Sequence, residues 1–257
     1  MPINAIIVGM PRSGTSMCAG VFARLGYSAA LPGASEELRD GDKFNRDGYW
    51  EAKSLIDRNV EVFEAAGYGH HNTWMFDPIT DETADNIQHL QTILGHQEFI
   101  ETFNDHSPWV WKDPRLCYTL PYWWSALPKN CAKVLLIRRN PEDIYNSFLR
   151  VGWRVPDADS KVEVFGRIQK HLEHAERAID DLNIPCLKLH YSSFQNEPRV
   201  VAQQLSEFFE VGISVEDLNF RATYNNGTAF RKLLVRLASL KRFVPRSIVR
   251  WLKKLRS

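Results

Sequence analysis

The sequence predicts an α/β fold: a parallel sheet with helices on both faces. Three observations predict it. A short apolar run, Ala5 to Val8, ends in a Gly/Pro/Ser turn and passes into helix-compatible residues Met17 to Leu25. Further short apolar runs at 109–112, 133–138 and 185–190 are each separated from the next by longer segments. Several of those segments carry helical periodicity, and strands alternating with helices build parallel sheets covered on both sides.

The elements follow in order. Gly26 to Leu31 is a candidate second strand, and residues 32–49 read as an irregular loop rich in Gly, Asp and Arg. A helix opens at Gly48-Tyr49-Trp50-Glu51 and runs to about Ala66; 67–80 is a loop holding His70, His71 and Trp74. Thr83 to Phe103 is predicted as one helix, with Ile87, Leu90, Ile93 and Leu94 on one face. Trp109 to Lys112 is a short strand ending in Asp113-Pro114-Arg115. Lys133 to Arg138 is a stronger one, and Asn140-Pro141 starts a helix with proline in its first turn. Residues 151–160 form a loop, a long helix reaches about Leu182, Pro185 to His190 is the last strand, and Pro198 to Phe209 is helical. The final stretch, 228–257, gives two short basic helices split at Pro245, so the expected organisation is a main domain over 1–227 and a basic segment over 228–257 packed on it.

Composition narrows the class. The 257 residues are 44% hydrophobic and 25% charged, as in an ordinary globule with a full core. The net charge is +1, yet ten Lys/Arg and no Asp/Glu lie in 228–257, so the preceding 227 residues carry a formal −9. That asymmetry points to an anionic surface or ligand near the C-terminus. Cys18, Cys117, Cys131 and Cys186 show no paired spacing, which suits free thiols in a reducing compartment. No signal peptide or membrane span is apparent, and a cytoplasmic location is expected.

The turn after the first strand carries the chemistry. Gly9, four residues, Gly14, then Thr15-Ser16 is close to the nucleotide-binding G-x-x-x-x-G-K-[ST] spacing. A strand, a glycine turn and a helix N-terminus converge backbone N–H groups on one anion. The lysine position is Thr15, however, which leaves Arg12 as the cation inside the loop. Pro11-Arg12-Ser13-Gly14-Thr15-Ser16 resembles the loop by which sulfotransferases hold the 5′-phosphosulfate of 3′-phosphoadenosine 5′-phosphosulfate (PAPS). A second match is Arg139 at a strand end with Ser147 eight residues later in the next helix. In that family such a pair clamps the donor's 3′-phosphate: a guanidinium fork fits phosphate, and a hydroxyl adds a donor. Arg138 then faces the other way. A third, looser match is Tyr191, placed like the family's aromatic near adenine, although Ser192-Ser193 stand where an acidic pair usually follows.

The resemblance covers Ala5 to about Phe209. It implies a five-stranded parallel sheet of the P-loop nucleotide-kinase type, PAPS as co-substrate and PAP as product, and a hydroxyl acceptor, with a glycan or lipid-linked glycan favoured. Where the cytosolic branch has Lys-x-His, this chain has Lys112-Asp113-Pro114, so the histidine base is missing. The Lys-x-Pro turn is similar to that of the Golgi-type branch, which pairs its lysine with a glutamate base. Glu51 is the preferred base, with Glu36 and Glu37 as alternatives. Glu51 could otherwise sit at a helix N-terminus and serve its dipole. Lys112 and Arg12 would stabilise leaving-group charge, and Arg231 in the tail could close over the 3′-phosphate. Arg115 either orients an anionic acceptor or caps a neighbouring carboxylate.

No metal is required on this scheme. His70, His71, His171 and His174 read as surface residues rather than ligands. Trp109, Trp111, Trp123 and Trp124 read as core, with a sugar-stacking platform as the lesser reading. The alternatives are a small-molecule P-loop kinase, or a non-catalytic anion-binding protein. Nucleic acid is not an expected partner. The apolar residues of Pro245 to Ser257, with Trp251 among the basic ones, suggest peripheral contact with the inner face of an anionic membrane.

Overall fold

The structure, a computed structural model, describes residues 3–31, 38, 39, 41, 45, 47–69 and 79–218. Four parallel strands form its sheet: β1 (Asn4–Val8), β2 (Val110–Lys112), β3 (Ala132–Arg138) and β4 (Cys186–His190), in the order β2-β1-β3-β4. The expected fifth strand at Gly26 to Leu31 is reduced, among the described residues, to a single parallel bridge between Ser28 and Trp109. Gly26, at φ 91°, turns the chain out of the first helix, and only Ser28 comes into register.

Alternation along the strands sorts the core into two layers. Ala5, Ile7, Leu135, Ile137 and Leu189 face α1 (Thr15–Arg24) and α9 (Pro198–Phe209), where Phe22, Leu205 and Phe209 complete the layer. Ile6, Val8, Trp109, Trp111, Val134 and Leu136 face the other way. There they pack with α2 (Lys53–Ala65), α3 (Asp81–His89), α4 (His96–Asp105), α5 (Leu116–Ala126) and α7 (Ala158–Asp181). A smaller cluster of Met10, Ile144, Phe148, Val164 and Ile168 joins the β1 loop to α6 (Pro141–Val151) and α7. The short α8 (Ser193–Asn196) follows β4.

Two helix expectations are corrected. The helix predicted over 83–103 is two helices, because the chain extends at Leu90 and Gly95 turns through φ 85° to start α4. The helix predicted from Gly48 begins only at Lys53. Trp50 takes φ 55°, and Ala52 is extended and bridged to Leu38. Helix α5 has no counterpart in the sequence reading. It is buried along most of its length and carries Pro121, so neither an amphipathic period nor a proline-free run marks it.

His171 and His174, expected at the surface, are buried against Tyr118 at the α5–α7 contact. They lie on the same face of α7 as Val164, Ile168, Ala175 and Ala178. Burial pushes His171 down to about 4 and lowers His174. Trp109, Trp111 and Trp123 are fully buried and in ring contact, so these three offer no stacking platform. No described helix is long and apolar enough to cross a membrane. His70, His71, Trp74, Glu36, Glu37, Arg231 and the whole 228–257 segment lie outside the described residues.

Candidate active site

Every strand ends at the same edge of a parallel sheet, and the residues singled out above follow those ends. The loop of β1 runs from Gly9 into α1. Register sets Ile7 beside Lys112, so the Lys112-Asp113-Pro114-Arg115 turn leaves the sheet next to that loop. Arg138 pairs in register with His190, which brings Arg139 and Tyr191 out side by side.

The loop's conformation depends on its glycines. Gly14, at φ 107°, is the N-cap of α1 and lies against Tyr191; a Cβ there would sit 2.4 Å from the ring's Cδ2. Gly9 backs onto the Ile137 carbonyl at 2.7 Å from such a Cβ. Between them Arg12 is held at φ 69°, an unusual conformation for a side-chain-bearing residue. That twist sends its guanidinium across to α6, where Nε donates to Ser147 Oγ at 3.0 Å.

Arg139 comes from the opposite side. Its Nη1 donates to the Arg12 carbonyl at 2.8 Å, and its guanidinium lies 4.2 Å from the Tyr191 ring centroid. It is 8% exposed, and its Nε and Nη2 meet no hydrogen-bond partner among the described residues. Burial pulls Arg139 below its usual value, with Tyr191 and Asp143 acting against that. The buried Ser13 hydroxyl likewise lacks a partner. Buried donors without acceptors are rare in folded proteins, and a cluster of them is a cradle for an anion. Arg138, as expected from alternation, turns away and pairs with Glu176. Tyr191 is 8% exposed, a support beneath Gly14 and Arg139.

On the other side of β1, Glu51 and Lys112 form an ion pair with side chains 6% and 4% exposed. Arg39 Nη1 reaches the second carboxylate oxygen at 3.2 Å while stacking over Tyr49. Burial alone would raise Glu51, but Lys112 and Arg39 outweigh it and hold the carboxyl below its usual range. Glu51 is thus ionised, and it precedes the Ala52 cap of α2 instead of serving the helix dipole. Arg115 takes the second of its two expected roles: its backbone N–H and Nη1 both donate to Asp113. Asn59 donates to the same carboxylate and accepts from Thr119 and Trp123, which anchors the turn behind Lys112 to α2 and α5.

Two participants escaped the sequence reading. Arg39 sits in an irregular stretch and reaches Glu51 only through tertiary folding. Arg150 donates to Ser147 Oγ at 2.9 Å, and its i,i+3 spacing from Ser147 was the available signal.

A model of the sulfotransferase family matches residues 4–217, from β1 to beyond α9. The chain belongs to that family. Similar solved structures include the sulfotransferase domain from the curacin biosynthetic pathway, at 18% identity and TM-score 0.49, covering 90% of this chain and 82% of that one. The sulfotransferase domain of the Synechococcus PCC 7002 olefin synthase has 17% identity and TM-score 0.48, with the same coverages. A sulfotransferase of Mycobacterium tuberculosis H37Rv has 13% identity and TM-score 0.49, covering 95% of this chain and 77% of that one. No curated protein matches.

Proposed function

We propose that this sulfotransferase uses PAPS and moves its sulfonate to an acceptor hydroxyl, with Glu51 as the base. The observation that carries the donor assignment is Arg139, a buried guanidinium with two N–H groups lacking acceptors beside the Arg12–Ser147 contact. A 3′-phosphate would supply those acceptors. Residues Pro11 to Ser16 would hold the 5′-phosphosulfate, with backbone N–H groups and the Ser13 hydroxyl as donors, and Tyr191 would support the cradle from below.

PAPS supplies an activated sulfonate, whose S–O bond to the 5′-phosphate breaks as the acceptor oxygen attacks sulfur, leaving PAP. Glu51, ionised and water-poor, receives the hydroxyl proton. Lys112 holds Glu51 in place and, with Arg12, offers positive charge where the phosphosulfate departs. A kinase reading gains nothing from the loop, since Thr15 replaces the lysine that would grip a γ-phosphate.

For the acceptor we infer a hydroxyl compound, with a carbohydrate, free or lipid-linked, as the first class to assay. A cytoplasmic protein resting on anionic lipid through Pro245 to Ser257 would fit a lipid-linked acceptor. The 257-residue chain should then float with phosphatidylglycerol vesicles at low salt while a truncation after Val244 does not. If both stay in solution, the membrane contact is wrong.

The donor assignment is tested by thermal unfolding without magnesium. PAP at ~100 times its dissociation constant should stabilise the fold by about 2.7 kcal/mol, with 5′-AMP far less effective at the same concentration. Equal shifts would remove the 3′-phosphate from the proposal.

A further inference from the structure

The two cations on Glu51 differ in how firmly each is fixed. Lys112, paired with Oε1, stands at the end of β2 in register with Ile7, and its side chain is 4% exposed. Moved off the carboxylate, its ammonium would stay buried without a counter-charge, which is costly. Arg39, 3.2 Å from Oε2, has a side chain 47% exposed. Water takes over its guanidinium as soon as it lets go, so this contact exchanges at small cost.

The backbone around Arg39 is held independently of that contact. Leu38 bridges Ala52, the Arg39 N–H donates to the Glu51 carbonyl at 3.0 Å, and the Tyr49 N–H donates to the Arg39 carbonyl at 3.4 Å. Trp50, at φ 55°, lies against Gly20 of α1, where a Cβ would come 2.9 Å from the indole Nε1. The buried Tyr49 ring is a shelf for the guanidinium, 4.1 Å from its centroid. The side chain can therefore leave Oε2 by rotating about its own bonds while the base keeps its place. One carboxylate oxygen is on a buried lysine and the other under a half-exposed arginine, so the exchangeable side of Glu51 is the one that Arg39 covers. Arg39 is also among the groups that hold Glu51 below its usual range, so its departure makes the carboxylate a better proton acceptor.

We propose that Arg39 guards the base: its guanidinium occupies the exchangeable oxygen of Glu51 until an acceptor hydroxyl takes its place there. The inference rests on the reading of Glu51 as base and of PAPS as donor. Without the guard, water takes the acceptor's part. Its oxygen attacks sulfur, and the S–O bond to the 5′-phosphate breaks with its electron pair leaving on PAP. One water proton passes to Glu51, and the other departs with the product as hydrogensulfate. The activated donor is then consumed with no acceptor modified, and excluding that side reaction is the task of the guard.

The test measures PAP release from PAPS in an alcohol-free buffer, with water as the acceptor. It compares the wild-type chain, Arg39→Gln, Arg39→Lys, Glu51→Gln and the double variant Arg39→Gln/Glu51→Gln. Isothermal titration of PAP and the ligand-free unfolding temperature verify that each variant is folded and binds the product as the wild type does. Arg39→Gln should hydrolyse PAPS about 10-fold faster or more, within what a positioned base supplies. Arg39→Lys, which keeps the charge but not the planar fork, should fall between it and the wild type. The double variant should be as slow as Glu51→Gln. If Arg39→Gln binds PAP normally but hydrolyses PAPS no faster than the wild type, Arg39 only steadies Glu51 and the guard is overturned. If the double variant stays as fast as Arg39→Gln, another group activates the water, and the reading of Glu51 as base falls together with its guard. A wild-type chain that binds no PAP removes the PAPS reading itself, a result distinct from either.

Discussion

The two halves of the site handle charge in opposite ways. On the proposed donor side, Arg12 and Arg150 both donate to Ser147, and Arg139 keeps buried N–H groups without acceptors among the described residues. On the proposed acceptor side each of these charges has its counterpart: Glu51 with Lys112 and Arg39, and Asp113 with Arg115 and Asn59. A self-compensated pair is rigid and supports the fold, and it costs stability when one partner is removed. Buried N–H groups without acceptors, as on Arg139, are a cost that a bound anion would relieve. On the proposed reading, the Arg139 half is completed by the donor's anion, while the Glu51 half is paired before substrate arrives.

The largest effects should follow from breaking the compensated half. Glu51→Gln should lower turnover by about 10²–10⁴-fold, the usual contribution of a positioned base. It should also lower ligand-free stability by roughly 3–5 kcal/mol, because Lys112 is left buried and unneutralised. PAP affinity should hardly change. Urea unfolding and single-turnover kinetics separate the two losses. A fully active Glu51→Gln would transfer the role of base to another group and leave Glu51 a structural partner of Lys112.

The opposite pattern should appear on the donor side. Arg139→Gln should weaken PAP by roughly 2–5 kcal/mol, as a desolvated phosphate loses its charged partner. The ligand-free protein should lose no more than about 1 kcal/mol, because the buried unpaired donors vanish with the side chain. If ligand-free stability falls as far as in Glu51→Gln, Arg139 is compensated after all and the contrast between the halves is lost.

This contrast also explains what the sequence could reveal. Donor residues sit in contiguous stretches, Pro11 to Ser16 and Arg139 to Ser147, and fixed spacing places them because one strand, one turn and one helix do the positioning. The acceptor half joins residues far apart in the chain, such as Glu51 with Lys112 and Asn59 with Asp113. Nothing local announces those meetings. Strands β1, β3 and β4 were legible from apolar runs, and α6 from Asn140-Pro141, whose side chain and ring do cap and start it. The buried α5 and the break between α3 and α4 were not. In the first, burial on nearly every side erased the period; in the second, one glycine in a left-handed turn interrupted a pattern that otherwise continued.

A smaller effect should follow from Gly14→Ala. The residue would have to hold φ 107° with its Cβ pressed against the Tyr191 ring. The strain of such a backbone position is about 1–3 kcal/mol. The ligand-free protein should be destabilised by that amount, and PAP should recover only part of it, since the ring must shift from beneath Arg139. Thermal scans with and without PAP measure both. An unchanged PAP-induced shift would mean that Tyr191 does not support the donor cradle.

The pH dependence also separates the halves. Glu51 lies below its usual range in the folded chain, so its contribution to stability is present above ~4.3 and is lost only as pH falls through the lower folded value. His171 behaves differently: it is buried neutral with its folded value near 4, so the unfolded chain takes up the extra proton first. Stability should therefore begin to fall from about pH 6.5 downward on account of His171, well before Glu51 titrates. Turnover by the folded fraction should stay level between pH 8 and about 5.5, because the base remains ionised throughout. The donor's KM should rise below about pH 6, where a phosphomonoester takes its second proton and offers the arginines one charge less. Rate profiles corrected for the folded fraction distinguish these outcomes. A saturating rate that drops with a midpoint between 6 and 7 would place the base on a group other than the carboxylate that Lys112 and Arg39 hold.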